Sequence, residues 1–337
     1  MTDDFKRLAG QIREVIQNSQ NILLHLHPNP DPDSAGSALA MYWALKILGK
    51  NPVVSKGDSI KPDWLKFLPG SEFIINQSVA DLDLNKFDLF IILDSSEIRQ
   101  VSKLKELTFP KNLSTVVIDH HYSNVSFAQI NIIDSSFPAV GELVYELLKF
   151  WQISISKEIS ANLIAAIFTD TGGFQYAPTS SRTFLAMTKL VKVFPDFTTL
   201  LSNLVNNNTA GLLRFYALAI NNVETFGNVA ISAVSLDQWK ENNISILDLN
   251  KSEVANLIKS VTGWDLGISM VEQEPNIISI SFRTRDSDKY DVSKIALATG
   301  FGGGHRAAAG ATLQMPLAQA KKFLLDIIYS VYPDLKP

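Results

Sequence analysis

Residues 21–49 read NILLHLHPNPDPDSAGSALAMYWALKILG, and this stretch decides the fold. It begins with a short, continuous apolar run at Asn21–His25, which predicts a buried β-strand. A loop rich in proline and aspartate follows. The apolar segment that starts near Ser34 and stops at Gly49 predicts a helix with a glycine at its C-terminal end. A buried strand, a polar loop and a helix in this order indicate an α/β unit.

The surrounding sequence repeats this pattern. Further strands are predicted from continuous apolar runs at 51–56, 87–94 and 114–119. Helices are predicted from apolar residues at helical spacing at 4–19, 140–150, 159–168 and 182–193. Strands that are apolar throughout, without alternation, are typical of parallel sheets covered on both faces. We therefore predict a doubly wound, mainly parallel α/β domain over residues 1–194.

The remaining sequence has a different character. The polar stretch 195–211, which contains Asn206, Asn207 and Asn208, is predicted to be an inter-domain linker. Beyond it, strands are expected at 228–236, 267–272 and 277–283, with a hairpin turn at 273–276. Helices are expected at 251–261, 292–299 and 317–332. This pattern predicts a smaller α+β domain over residues 212–337, facing the first domain across a cleft.

Composition narrows the classes of function. The chain has 337 residues, of which 46% are hydrophobic and 19% charged, with a net charge of −4 and no cysteine. The acidic balance argues against a protein that coats long nucleic acid. The missing cysteines exclude disulfides and thiolate metal sites. The N-terminus has no apolar signal segment, and no apolar run is long enough to cross a membrane, so we expect a cytoplasmic protein.

Aspartate and histidine cluster where the predicted strands end. The residues concerned are His27, Asp31, Asp33, Asp94, Asp119, His120 and His121, joined by Asp170 at the end of a predicted helix. Each has a simpler interpretation, because an aspartate can cap a helix or occupy a turn and a histidine pair can lie on the surface. Together, however, they are predicted to lie at one edge of the sheet, where several carboxylates would repel one another without a cation. Oxygen and imidazole ligands favour Mn²⁺ or Mg²⁺, with Zn²⁺ or Co²⁺ as alternatives.

Five ordered motifs resemble those of the DHH phosphoesterase superfamily, and within it the DHH–DHHA1 proteins of the nanoRNase/oligoribonuclease and pAp-phosphatase type. They are HPNPDPDS at 27–34, the apolar strand that ends in Asp94, the triplet Asp119-His120-His121, TDTG at 169–172, and GGGH at 302–305. The resemblance extends over nearly the whole chain. It implies catalysis that depends on two divalent metal ions, with Mn²⁺ first and Mg²⁺ or Co²⁺ as alternatives.

The resemblance also implies a role for each motif residue. One metal ion would be bound by His27, Asp31 and Asp94. The other would be bound by Asp33, Asp94, His120 and Asp170. Two residues would serve catalysis, with Asp119 orienting a ligand and His121 facing the substrate phosphate. Substrate would be bound by Arg283, Gly302, Gly303, Gly304 and His305. Arg99 remains open, because it could reach a phosphate or lie on the surface.

We expect hydrolysis of dinucleotides and short oligoribonucleotides to mononucleotides, with pAp as a second substrate. One alternative is a phosphodiesterase for linear or cyclic dinucleotide messengers, which would use the same site. An inorganic pyrophosphatase is disfavoured by the loop at 302–305, and an inactive nucleotide-binding protein by the complete set of six expected ligands. The expected partners are short RNA, dinucleotides or nucleotides, with no membrane; the oligomeric state, a homodimer included, stays open.

Overall fold

The computed structural model describes residues 2–206 and 208–337. The chain forms two compact units, Met1–Asn207 and Asn208–Pro337. The helices and strands of the first unit are α1 (Asp3–Asn18), β1 (Asn21–His25), α2 (Pro32–Ile47), β2 (Asn51–Lys56), β3 (Ile74–Ser78), β4 (Leu89–Leu93), β5 (Ser114–Asp119), β6 (Ile130–Ile133), α3 (Val140–Phe150), α4 (Lys157–Asp170), α5 (Ser181–Val193) and α6 (Phe197–Val205).

The first unit is built on a six-stranded parallel sheet. Its strand order is β3-β2-β1-β4-β5-β6, so the chain extends the sheet on one side of β1 and then returns to extend it on the other. This change of direction between β1 and β4 is a topological switch point, where open α/β sheets place their sites. The doubly wound parallel sheet that the sequence predicted is confirmed.

The central strands are apolar throughout because both faces of the sheet are covered. Along β4, Leu89, Ile91 and Leu93 pack into one hydrophobic core. The alternate residues Phe90 and Ile92 pack into a second core on the opposite face. Every residue of β4 is buried as a result. The sequence analysis did not predict β3 and β6, the strands at the two edges of the sheet.

Close packing of helices brings three helix ends towards the switch point. Helix α2 lies against α4 at Gly36, where a Cβ atom would come within 2.4 Å of the carbonyl oxygen of Asn162. Helix α3 approaches α4 at Gly141, where a Cβ atom would lie 2.5 Å from the Cβ of Ala166. Glycine at these two positions thus permits the contacts that fix the starts of α2 and α3 beside α4.

The second unit is an α+β structure around a mixed sheet. Its elements are α7 (Ala210–Asn221), β7 (Val223–Phe226), β8 (Val229–Val234), α8 (Leu236–Glu241), α9 (Lys251–Lys259), β9 (Leu266–Glu274), β10 (Ile277–Thr284), α10 (Val292–Ala298), β11 (Gly302–Gly304), β12 (Ala308–Gln314) and α11 (Leu317–Val331). The strand order is β11-β12-β10-β9-β8-β7, and β8 and β9 are the parallel pair. The other pairs are antiparallel.

Two segments differ from their sequence-based description. The glycine run at 302–304, expected to be a loop, forms β11 and pairs with β12. The predicted linker at 195–211 contains α6 and the first residues of α7, and its Asn207 lies outside the described residues. None of the helices in the described ranges combines the length and apolar content needed to cross a membrane.

Candidate metal centre

Side chains from four segments of the first unit meet beyond the carboxyl ends of the central strands. Three groups each bring their ligand atoms within 4.8 Å of one another: His27, Asp31 and Asp94; Asp33, His120 and Asp170; and Asp94, His120 and His121. The structure therefore brings together all six residues predicted as metal ligands, with His121 beside them. Nitrogen and oxygen atoms grouped in this way could hold a metal ion.

Asp94 lies at the centre of the cluster. Its Oδ2 atom lies 3.6 Å from Nε2 of His27, while its Oδ1 atom lies 3.9 Å from Nε2 of His120 and 3.6 Å from Nδ1 of His121. The residue is buried and has a φ of 54° directly after β4. A left-handed conformation costs a non-glycine residue about 1–2 kcal/mol. Such strain is found where surrounding structure holds a functional side chain in place.

The two aspartates at the start of α2 are held by hydrogen bonds. Asp31 caps the helix, with Oδ1 accepting from the backbone nitrogen of Ser34 at 2.9 Å, and its Oδ2 lies 3.3 Å from Nε2 of His27. Asp33 is buried and accepts from the backbone nitrogens of Val140 at 2.8 Å and Gly141 at 2.9 Å. Asp31 thus serves the helix cap and the cluster at once.

The histidine pair is oriented by two acceptors. Nδ1 of His120 lies 3.1 Å from the carbonyl oxygen of Phe137, so Nδ1 carries the proton. Its Nε2 then faces Asp170 at 3.4 Å. Asp119 accepts from the backbone nitrogen of His120 at 2.9 Å, and its Oδ1 lies 2.8 Å from Nδ1 of His121. Asp119 belongs to none of the three groups of ligand atoms; it orients its two neighbours.

The carboxylates of the cluster repel one another, and this repulsion shifts their pKa values. Burial raises the pKa of Asp94, and the charge of Asp31 raises it further. Burial and the charge of Asp94 also hold the pKa values of Asp33 and Asp170 well above the usual carboxyl range. Burial would lower the pKa of His121, but the hydrogen bond to Asp119 and the charge of Asp94 raise it to about 9. The carboxylates therefore favour a compensating cation.

A cavity of about 270 Å³ opens onto the cluster. Besides cluster residues, its lining includes Pro28 and Asn29 of the first motif, and Gln100 and Lys103, which the sequence analysis missed. Arg99, the candidate chosen from the sequence, is exposed, and it is not among the described residues that line this cavity. The backbone nitrogen of Lys103 donates to Oδ2 of Asp58 at 2.6 Å, which fixes the turn that carries the lysine. No periodic sequence signal marks such a loop position.

The second unit has a cavity of opposite character, with a volume of about 470 Å³. It is lined by residues that include Lys251, Ser252, Ser281, Arg283, Phe301, Gly303 and Gly304. The guanidinium of Arg283 donates to the side chains of Asn256 at 3.2 Å and Ser281 at 3.0 Å. Burial, together with the charge of Arg283, lowers the pKa of Lys251. Two cations beside glycine backbone form a surface suited to an anion.

The remaining predicted substrate residues lie at the same end of the sheet. Gly302 pairs with Ala311 in the β11–β12 ladder. His305 occupies the tight turn between these strands, where its backbone nitrogen donates to the carbonyl oxygen of Ala308 at 2.8 Å. The imidazole is exposed, and His305 is not among the described residues that line the cavity. The sequence analysis missed Lys251 and Ser252, which belong to the first turn of α9.

Comparison with known proteins agrees with this architecture. Residues 21–169 match the DHH family, N-terminal domain, and residues 228–331 match the DHHA1 domain. The bifunctional oligoribonuclease and PAP phosphatase NrnA of Thermus thermophilus is 27% identical over 96% of this chain and 93% of its own length. The protein of the same name from Mycoplasma genitalium is 27% identical over 95% of this chain and 96% of its own length.

The fold has a solved counterpart. An exopolyphosphatase-related protein from Bacteroides fragilis superposes with a TM-score of 0.87 at 22% identity, covering 98% of this chain and 97% of that one. The two matched domains, the parallel sheet with its cluster of carboxylates and imidazoles, and the full-length relatives lead to one conclusion. The chain belongs to the DHH–DHHA1 family and is a metal-dependent phosphoesterase.

Proposed function

We propose that this enzyme hydrolyses dinucleotides and short oligoribonucleotides to mononucleotides, with pAp as a second substrate. The observation that carries the proposal is the convergence of seven carboxylate and imidazole side chains into three groups with ligand atoms within 4.8 Å. The relatives named oligoribonuclease and PAP phosphatase support it, because they match this chain over nearly their whole length. We assign catalysis to residues 1–194 and substrate binding to residues 212–337, with the largely helical segment 195–211 between them.

The cluster can hold two ions if Asp94 is shared. His27 and Asp31 would complete one position. Asp33, His120 and Asp170 would complete the other. The donors are oxygen and imidazole nitrogen without sulfur, which fits Mn²⁺ first and Mg²⁺ or Co²⁺ as alternatives. Bound divalent ions would supply a water of lowered pKa and would neutralise charge on the phosphoryl oxygens.

Side chains and backbone groups of the protein would orient and bind the substrate phosphate. Asp119 holds Nδ1 of His121 at 2.8 Å, and His121 lines the cavity. We assign His121 to a phosphoryl oxygen, where a positioned donor stabilises developing negative charge. In the second unit, Arg283 and the backbone N–H groups of β11 (Gly302–Gly304) are assigned to a substrate phosphate, with His305 in the turn that follows this strand. Arginine suits this role because its fixed fork matches phosphate oxygens.

The test is a substrate panel incubated with the purified protein and Mn²⁺. The panel contains pApA, a short RNA ladder, pAp, c-di-AMP and pyrophosphate. We expect mononucleotides from pApA and short RNA, and no product with EDTA or with the Asp170→Ala variant. Cleavage of c-di-AMP or pyrophosphate alone would overturn the proposed substrate. Bound Mn²⁺ without any turnover would make the protein a nucleotide-binding relative.

A further inference from the structure

A short segment before and within the first turn of α3, residues 136–142, contacts two of the proposed metal ligands. The carbonyl oxygen of Phe137 lies 3.1 Å from Nδ1 of His120. The backbone nitrogens of Val140 and Gly141 donate to Asp33 at 2.8 and 2.9 Å. His120 and Asp33 belong to the same group of ligand atoms. The conformation of this segment therefore determines where two ligands of one metal position point.

Arg182, on helix α5, contacts this segment at three points. Its Nη2 donates to the carbonyl oxygen of Ser136 at 2.7 Å. The guanidinium carbon lies 3.5 Å from the centre of the Phe137 ring. Its Nε donates to Oε1 of Glu142 at 2.6 Å. One side chain thus contacts both ends of the segment and the residue whose carbonyl orients His120.

The three contacts of residue 182 require an arginine, because another cation such as lysine could not make all of them. Stacking on an aromatic ring while donating in two in-plane directions uses the flat, forked guanidinium, which a lysine ammonium lacks. Glu142 is fully buried, and its other oxygen, Oε2, has no hydrogen-bond partner among the described residues. Arg182 is thus the charged partner of a buried carboxylate, which would be costly to leave unpaired.

We infer that Arg182, anchored by Glu142, is a positioning residue for the metal position formed by Asp33, His120 and Asp170. It fixes the Phe137 carbonyl and the start of α3, and these in turn fix the directions of the His120 imidazole and the Asp33 carboxylate. The inference rests on the proposed function, because it requires that a metal ion binds there. Arg182 itself belongs to none of the ligand groups and does not line the cavity.

The test is calorimetric titration of the full chain with Mn²⁺ alone. Wild type is compared with Arg182→Ala, with Arg182→Lys, and with Lys189→Ala, which removes an exposed cation from the same helix. We expect Arg182→Ala to weaken one of two binding steps by roughly 10–100-fold, as is typical when a residue that orients a ligand is lost. Arg182→Lys should recover part of that loss, and Lys189→Ala should match wild type.

Thermal unfolding in EDTA separates positioning from simple support of the fold. If Arg182→Ala lowers the unfolding temperature in EDTA but binds Mn²⁺ as wild type does, the positioning role is overturned while the proposed function stands. If wild type binds no Mn²⁺, both fall. Should Arg182→Ala fail to fold, Glu142→Gln retains the volume and an acceptor while weakening the anchor. Weaker Mn²⁺ binding by Glu142→Gln and by Arg182→Lys would then support the role, and unchanged binding by both would overturn it.

Discussion

The cavity beside the cluster in the first unit and the cavity at Arg283 in the second unit have linings of opposite charge. The cavity of the first unit is lined by carboxylates and imidazoles, among them Asp94, which is buried, and Asp170, whose pKa is held well above the usual carboxyl range. The cavity of the second unit is lined by two cations, small hydroxyl residues and glycine backbone. The first requires a cation before it can approach a phosphate, whereas the second can receive an anion directly. Substitutions should therefore affect chemistry in the first cavity and affinity in the second.

The largest effect is expected at Asp94, which joins the ligand groups. Asp94→Asn removes a negative charge while keeping the side-chain volume, so neither of the two proposed metal positions would keep its full ligand set. We expect kcat to fall by more than roughly 10³-fold, beyond the loss of a single stabilising donor. Steady-state kinetics with pApA and Mn²⁺ measure the loss. The matched control is Asp81→Asn, an exposed aspartate in the same unit, and full activity of Asp94→Asn would contradict the mechanism.

The next largest effect is expected on the free energy of unfolding, when Mn²⁺ binds to the acidic cluster of the first unit. Mn²⁺ at 100 times its dissociation constant should add about 2.7 kcal/mol per site to the free energy of unfolding, because it binds only the folded state. Differential scanning calorimetry with Mn²⁺ and with EDTA should show a transition raised by about 5 °C or more. Asp170→Ala should show a smaller rise. An equal rise in wild type and Asp170→Ala would mean that Mn²⁺ binds elsewhere.

In the second cavity, Arg283→Ala should weaken substrate binding rather than chemistry. A hydrogen bond to a charged group contributes about 1.5–3 kcal/mol, which corresponds to roughly a 10–100-fold rise in KM at nearly constant kcat. Arg285→Ala is the matched control, since that guanidinium donates to the backbone carbonyl of Val261 at 2.8 Å. A fall in kcat at unchanged KM for Arg283→Ala would contradict the idea that the second cavity serves substrate affinity and the first serves chemistry.

The sequence predicted the central part of the fold because its signals there are local and strong. Strands β1, β4 and β5 are buried on both faces, so each is a continuous apolar run. Edge strand β3 carries the polar residues Asn76 and Gln77, and its pairing with β2 depends on distant residues. Strand β11 consists of three glycines and is defined by pairing with β12. The local sequence pattern does not show with which distant strand a segment pairs.

The candidate site follows the same rule. The cluster residues fall into short motifs at strand ends, and the structure brings them together as the topology of a parallel sheet requires. Their assignment as metal ligands stays a prediction. Gln100 ends a short 3₁₀ helix, Lys103 lies in the loop that follows it, and Lys251 begins α9. Each of them lies at its cavity only because of the folded arrangement. No motif or spacing distinguishes these residues from other polar residues in the sequence.

The smallest effect is expected for the phosphate contact near the cluster, for which the sequence suggests Arg99 and the structure suggests Lys103. Lys103 lines the cavity of the first unit, while Arg99, four positions earlier, is exposed outside its lining. An exposed lysine beside a bound phosphate contributes up to about 1 kcal/mol, so Lys103→Ala should raise KM for pApA about 2–5-fold. Arg99→Ala, which removes the same charge, should change KM by less than about 2-fold. Both are measured at low and high salt, because screening should diminish the Lys103 effect. A larger rise in KM for Arg99→Ala than for Lys103→Ala would instead identify Arg99 as the substrate contact.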